Sequence, residues 1–209
     1  MKDSKCKICR RLGVKLFLKG EKCLSPKCTM VKRSYPPGEK KKRRPSPPSE
    51  YGKELREKQK LKNWYNLRER QFKKYVKETL KSRGRVEDAT VLLIRKLESR
   101  LDNIVFRLGF APSRAQAKQL VSHGHFLVNG KRIDIPSHHV KKGDVISFSS
   151  KSQKKNIFQT IKNSLKKYKT SSWLKLDVEK MEGEVLNEPA IEEVAPPVEI
   201  STIFEFYSK

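Results

Sequence analysis

LESRLDNIVFRLGFAPSRAQAKQLVSHGHFLVNGKRIDIPSHHVKKGDVISF, residues 97–148, reads as two helices followed by a small sheet, and the rest of the chain is arranged around it. Leu97, Leu101, Ile104, Val105 and Leu108 fall on one face of a first helix, with Gly109 at its C-terminal cap. Ser113 opens a second helix, and Gln116 three residues on makes a capping box. Ala117, Leu120 and Val121 form the inward stripe of that helix, and Gly124 ends it. Phe126–Val128 and Lys131–Ile133 predict a hairpin across Asn129-Gly130, a pair that accepts the two positive φ angles of a type I′ turn. Val145–Phe148 is a further strand after the Lys142-Gly143-Asp144 turn.

The outward face of this stretch gathers Arg114, Lys118, Gln119, His123, His125, Lys131 and Arg132 around one helix and one hairpin, with few acids. A helix N-terminus with free N–H groups beside Arg and Lys suits phosphate, and Gln and Asn side chains can reach bases or ribose. Gln116 and Asn129 therefore complete the candidate RNA-binding set. A solvated basic surface explains any one of these cations equally well; the group together favours RNA.

Composition agrees. The 209 residues carry 49 Lys plus Arg against 23 Asp plus Glu, a formal charge of +26. Such a chain repels itself unless polyanions are near, which makes nucleic acid the natural partner. No run of about 18 apolar residues offers a membrane span, and MKDSKCKICRR has no apolar signal core, so the expectation is a cytoplasmic protein without a membrane partner. The hydrophobic fraction is only 35%, lean enough that part of the fold is expected to order on its partner.

All four cysteines lie in the first 28 residues, as Cys6-x2-Cys9 and Cys23-x4-Cys28. Two close pairs across a short loop can bring four thiolates to the corners of a tetrahedron, the arrangement of a structural zinc ion. Lys5, Lys7, Arg10, Arg11, Lys22 and Lys27 are expected to lower the thiol pKa values and offset the charge of the centre. Four cysteines also suit an iron–sulfur cluster, and a disulfide pairing is the reading for an oxidising compartment. With four protein ligands, a metal here has a structural role.

Residues 29–52 hold five prolines and the run Lys40, Lys41, Lys42, Arg43, Arg44, and predict an extended basic arm lying along RNA rather than a regular helix. A flexible linker or a localisation tag is the plainer reading of the run. Residues 51–83 return to helical spacing, interrupted near 63–68, with the aromatic side chains read as core. From Asp177 to Lys209 the balance reverses to nine acids against two bases. Residues 173–178 and 203–207 have strand character, 184–198 reads as irregular, and this acidic segment is expected to fold back on the basic amino-terminal half.

The run Ser113-Arg114, Ala117, Gln119-Leu120-Val121, Gly124-His125, Val128-Asn129-Gly130 resembles the small RNA-binding module named after small-subunit ribosomal protein S-four. Pseudouridine synthases, a tRNA synthetase tail and a heat-shock RNA-binding protein carry similar modules, so the flanks decide. Cys6-Lys7-Ile8-Cys9-Arg10-Arg11, residues 15–23, Tyr35-Pro36-Pro37-Gly38, residues 55–61 and the closing Glu205-Phe206-Tyr207-Ser208-Lys209 are similar, in order and spacing, to the cysteine-containing bacterial S-four family. The Pro-Ser-Pro-Pro-Ser insertion and the long acidic segment depart from that pattern.

The resemblance implies an α+β protein. A metal-stabilised, basic helical amino-terminal domain would span 1–89, with 171–209 packing back on it, and a helix-hairpin RNA-binding module would span 90–170. It further implies a primary binder of the five-prime domain of small-subunit rRNA that nucleates subunit assembly. It places such a protein beside ribosomal proteins S-three and S-five near the messenger RNA entrance, with an influence on translational accuracy. An RNA-modifying enzyme is the rival class, but the residues offer no paired carboxylates in an apolar pocket, Gly-rich phosphate loop or Ser/His/Asp set, and His123, His125, His138 and His139 lie in a polar loop region. A zinc-dependent DNA-binding protein is the second rival, and the cysteine unit lacks a recognition helix for it. No catalytic residue and no small-molecule substrate is expected.

Overall fold

The computed structural model describes residues 4–38, 47–82, 88–153, 156–165 and 168–208. The chain divides into two compact units, one of residues 1–90 with 196–209 and one of residues 91–195. The basic run Lys40–Arg44 lies outside the described residues.

The first unit begins with three short helices, α1 (Lys5–Leu12), α2 (Glu21–Leu24) and α3 (Thr29–Lys32). Gly13 at φ 70 ends α1 in the left-handed conformation that a C-terminal cap favours. The third is a single turn within the stretch expected to be free of helix. Two longer helices follow, α4 (Glu50–Trp64) and α5 (Glu69–Lys81), separated at the expected turn. Ser49 caps α4 by accepting from the Gly52 N–H at 3.2 Å. Leu61, Phe72 and Val76 are fully buried, and Tyr65, Leu67 and Tyr75 nearly so, which confirms these aromatics as core. Each such side chain contributes about 1.5–3 kcal/mol through the water it sheds.

The second unit opens with α6 (Ala89–Glu98) and α7 (Leu101–Arg107), where a single helix was expected. The break has a visible cause. The Leu101 and Asp102 N–H groups donate to the carbonyls of His138 and Pro136, and Val140 N–H donates to Ser99. Residues 136–140 thus take the backbone groups that would have continued the ladder. Arg100 is extended (φ −69, ψ 137) and bridges His139. After α8 (Arg114–Ser122) come β1 (Phe126–Val128), β2 (Lys131–Arg132) and β3 (Val145–Phe148), then α9 (Ser150–Gln153) and α10 (Asn156–Leu165). Asn129 and Gly130 adopt φ 50 and 76, the pair of positive angles that the hairpin turn requires.

The sheet does not stop at β3. A second hairpin, β4 (Leu174–Asp177) and β5 (Glu182–Val185), extends it to five antiparallel strands in the order β2-β1-β3-β5-β4. Residues 184–198, read as irregular, therefore contribute part of a strand and the short helix α11 (Ile191–Val194). The core beneath the sheet joins Leu101, Ile104, Val105 and Leu108 to Phe110, Phe126, Ile146 and Phe148, with Trp173 and Leu174 from the later segment. The expectation that all of 171–209 packs back on the amino-terminal half therefore needs correction: 171–195 belongs to the second unit.

Only the last residues return. They form α12 (Ile200–Ser208), a helix where 203–207 read as a strand, and it packs on α4 and α5 with Ile200 and Ile203 buried. A short, largely apolar run fits a strand locally, but packing against two helices selects the helical period. Phe206 stacks near Tyr51 at 5.5 Å between centroids, and Lys58 Nζ lies 4.6 Å over the Phe206 ring. Among the described residues no helix is long and apolar enough to cross a membrane.

Candidate nucleic-acid interface

Helix α8 starts at Ser113, whose hydroxyl accepts from the Gln116 N–H at 3.4 Å, and Ala117, Leu120 and Val121 turn inward as their spacing demanded. That leaves Gln119 and His123 exposed and Gln116 and Lys118 half-exposed. Just past the helix Gly124 takes φ 68, and the Arg132 guanidinium lies where a Cβ would stand. The hairpin thereby holds Arg132 against the C-terminal end of α8, with Lys131 exposed beside it. The His123 and His125 rings meet edge to face at 6.0 Å, and His125 Nδ1 is 2.8 Å from the buried Ser152 hydroxyl. Gln119, His123, Lys131 and Arg132 are thus presented to solvent around one helix end.

Two members of the expected set are turned to other work. Arg114 is only 9% exposed; its Nε donates to Asn103 Oδ1 at 2.8 Å, and its guanidinium lies 4.6 Å over the Phe106 ring. Asn129 donates to Asp144 Oδ1 at 2.7 Å and accepts from the Val145 N–H at 2.9 Å, pinning the hairpin turn to the start of β3. Both are positioning residues in this geometry. Sequence alone shows that Arg and Asn stand near the face, not that the buried Asn103 side chain accepts from one and a neighbouring turn holds the other.

Asn103 is in turn held by Glu98. Its carboxylate is fully buried and accepts from Asn103 Nδ2 at 2.6 Å and bidentately from Arg107 at 3.0 and 2.9 Å, with Arg114 Nη2 3.9 Å away. A second buried pair, Arg100 with Asp102, is bidentate at 3.0 and 2.7 Å. Buried carboxylates demand this degree of pairing. The consequence is a surface from which these two acids have been withdrawn. Tyr168, which the sequence reading did not single out, packs its ring over Gly109 (φ +79) with Arg107 and Arg114 nearby, and burial raises its phenol pKa. The left-handed glycine after α7 was the available signal, since such a glycine often admits a close neighbour.

In the first unit, Cys6 and Cys9 from α1, Cys23 from α2 and Cys28 before α3 line one small cavity with Lys5 and Lys19. All four are free thiols, and three of them are buried. The Lys19 N–H approaches Cys23 Sγ at 3.3 Å, the kind of contact that steadies a thiolate. Among the described residues, no group of three or more His, Cys, Asp or Glu side chains stands so as to hold a metal ion. Cys9 departs from the electrostatic expectation. Burial raises the Cys9 thiol above its ordinary value, and the neighbouring thiols Cys23, Cys6 and Cys28 push the same way, although a backbone hydrogen bond at Leu16 opposes them. The nearby lysines and arginines do not set its balance. Arg10 is occupied otherwise, donating to the Tyr35 carbonyl at 2.8 Å and lying 4.8 Å over the Tyr35 ring.

Comparison with known proteins adds two family models. One described as "Ribosomal protein S4/S9 N-terminal domain" matches residues 1–96, and one described as "S4 domain" matches residues 99–146. The chain is 49% identical over 204 residues to "Small ribosomal subunit protein uS4" of Thermus thermophilus, covering 98% of this chain and 96% of that one. It is 47% identical over 208 residues to the protein so named in Syntrophomonas wolfei, covering 99% and 98%. To that of Thermotoga petrophila it is 43% identical over 205 residues, covering 98% and 96%.

Proposed function

Because this chain belongs to the bacterial-type family of small ribosomal subunit protein uS4, we propose that it is a structural component of the small ribosomal subunit that binds the five-prime domain of small-subunit rRNA. The family is one of ribosomal proteins rather than enzymes, and the chain is not an enzyme. Its place is the cytoplasm, in the subunit. The observation that supports RNA binding through the second unit is its division of charge. Glu98 and Asp102 are buried against arginines, while Gln119, His123, Lys131 and Arg132 remain exposed around one end of α8.

The mechanism is electrostatic and geometric. Cations that replace counterions on phosphates supply affinity, with log K falling by about 0.9 per neutralised phosphate for each unit of log salt on duplex. A-form RNA hides its major groove, so selectivity has to come from shape, with charges presented at fixed separations. Rigid carriers are therefore required, and the buried ion pairs at Glu98 and Asp102 provide them in this unit. Binding to a folded junction early would organise it for later proteins, which is how such a chain would nucleate assembly. Placement beside ribosomal proteins S-three and S-five at the messenger RNA entrance, with an effect on accuracy, belongs to the same reading and rests on the family resemblance alone.

We also propose that Cys6, Cys9, Cys23 and Cys28 hold a structural zinc ion, with an iron–sulfur cluster as the lesser alternative. Support comes from the spacing of the two cysteine pairs and from all four residues lining one small cavity, where their side chains do not stand as a ligand set in this geometry. The ion would fasten α1, α2 and α3, segments too short to be stable alone. A Cys9→Ser variant is expected to lose bound metal and loosen the amino-terminal region. An unchanged metal-to-protein ratio would overturn the four-thiolate site.

The test of RNA binding is a titration of the full chain against the five-prime domain of small-subunit rRNA, with tRNA and duplex DNA as competitors, at two salt concentrations. Selective binding that survives the higher salt is expected. Equal and steeply salt-sensitive binding to all three would leave charge alone and sink the shape-selective reading.

A further inference from the structure

The turn between β1 and β2 carries a chemistry that RNA binding leaves unused. Asn129-Gly130 joins a side-chain amide to a residue without a Cβ, and nothing stands within 4 Å of where that Cβ would be. The Gly130 backbone nitrogen is therefore unshielded, and both residues are exposed. An asparagine followed by such a nitrogen can lose its amide without an enzyme, which is one reason asparagine is thermolabile. The nitrogen attacks Cγ of Asn129 and gives up its proton, the Cγ–Nδ2 bond breaks, and ammonia leaves with that proton. Water then opens the cyclic imide at either carbonyl, yielding aspartate or its isoaspartyl isomer.

The closed hairpin holds the amide away from that reaction. Asn129 Nδ2 donates to Asp144 Oδ1 at 2.7 Å, Asn129 Oδ1 accepts from the Val145 N–H at 2.9 Å, and the Asn129 N–H donates to the Val145 carbonyl at 2.9 Å. Turning Cγ toward the Gly130 nitrogen breaks both side-chain bonds. Asp144 is itself fixed, because its second oxygen accepts from the Lys141 N–H at 2.7 Å. The lock nevertheless sits at the weak end of the sheet. Strand β2 has two residues, both exposed, and is an outer strand of the order β2-β1-β3-β5-β4. Such an edge opens locally at far less cost than unfolding the unit.

We propose that Asn129-Gly130 is a self-modification site gated by the hairpin: the closed turn protects it, each opening exposes it to deamidation, and the product keeps the turn open. A carboxylate at position 129 has no proton to donate to Asp144 and meets it as a like charge where a 2.7 Å hydrogen bond stood. The isoaspartyl product also adds a carbon to the main chain, so the two-residue turn no longer fits a register that sets Val128 opposite Lys131. Either product frees Lys131 and Arg132 from their place beside α8. That last consequence matters to function only through the RNA-binding reading above, whereas the chemistry does not depend on it. A copy whose hairpin stays closed keeps its asparagine, and a copy left open loses it.

The full chain is incubated in mildly alkaline buffer with and without urea, and the peptide spanning 129–130 is followed by mass spectrometry for aspartate and isoaspartate. Formation in urea is expected to be roughly tenfold faster or more. Asp144→Ala, which removes one of the two bonds on the amide, is expected to raise the rate in plain buffer about tenfold. Equal rates with and without urea, no product in either, or a wild-type rate in Asp144→Ala would overturn the gate. The product is tested by Asn129→Asp, which is expected to lose hydrogen-exchange protection at residues 126–132 while α4 and α5 keep theirs. The swap Asn129→Asp/Asp144→Asn is expected to restore it, since an asparagine at position 144 can donate to the carboxylate at 129 and still accept from the Lys141 N–H. General misfolding cannot imitate that recovery. Unchanged protection in Asn129→Asp, or no recovery in the swap, overturns the claim that the product keeps the turn open. All of these readouts are taken without RNA, so their outcome is separate from that of the RNA titration.

Discussion

At Glu69 three donors converge on one carboxylate, and the pH response of the first unit should be sought there. Burial alone would raise its pKa, but the hydrogen bonds from Lys58, Tyr207 and Lys62 bring it from 4.5 down to about 2. A carboxyl depressed in the folded state contributes its stability above the unfolded value and loses it as pH falls through the folded one. The loss therefore runs from about pH 4.5 toward 2. Tyr207 moves the opposite way: burial, then Glu69, push its phenol up from 10.0, so its share is lost as pH rises past 10. Glu69 is 45% exposed, and solvent screening holds the effect to on the order of 1 kcal/mol. Replacing Glu69 with Gln should lower the melting temperature at about pH 7 and leave it nearly unchanged at about pH 1.5, below the folded value; an equal deficit at both values would show that the carboxylate charge is irrelevant. Neither partner was visible as such in the sequence. Residues 69 and 207 stand 138 positions apart, and nothing local announces that a terminal tyrosine will close over the start of α5.

Elements divide by how far their determinants reach. Helix α8 and the β1–β2 hairpin were legible because their signals are local: Ser113 with Gln116, the inward Ala117, Leu120 and Val121, and Asn129-Gly130 at the turn. The break between α6 and α7 was not, since it depends on residues 136–140 taking the backbone groups of Leu101 and Asp102. Strand β5 was missed for a similar reason. Glu182-Gly183-Glu184-Val185 has poor strand propensity, yet it lies between β3 and β4 with Gly183 opposite Ile146 and Leu176. The side chain of the fully buried Leu108 occupies the space that a Cβ on Gly183 would enter. Gly183→Ala should therefore destabilise the second unit by about 1–3 kcal/mol through overpacking, read as a lower denaturation midpoint at unchanged m-value. A neutral result would mean that Leu108 can repack freely. The candidate interface shows the same division: exposed Lys131 and Arg132 were readable from local pattern, whereas the inward commitment of Arg114 to Asn103 and Phe106 was not.

For the whole molecule, the order of the chain and the order of the structure differ. The second unit is a single uninterrupted segment, 91–195, but the first is assembled from both ends of the sequence. Deleting residues 196–209 removes Ile200 and Ile203 from a core they share with α4 and α5. The deletion should expose residues 47–82 to protease and to hydrogen exchange while the sheet amides keep their protection. Equal protection of α4 and α5 in the shortened chain would show that α12 is dispensable. The charge balance was readable at this scale from composition. The path of the acidic segment was not, because its first half is captured by strand pairing and its last residues by an aromatic and ionic contact.

A chain built this way meets a timing constraint while it is being made. Synthesis runs from the amino terminus, yet α12, which packs into the first unit, is translated after the whole of the second. At about 5–20 residues per second, the roughly 120 residues between α5 and α12 impose a wait on the order of ten seconds. During that interval the partly exposed apolar sides of α4 and α5 have only the nascent chain, chaperones or RNA to cover them. The segment translated later thus has all its parts first, and the segment translated first is the last to finish.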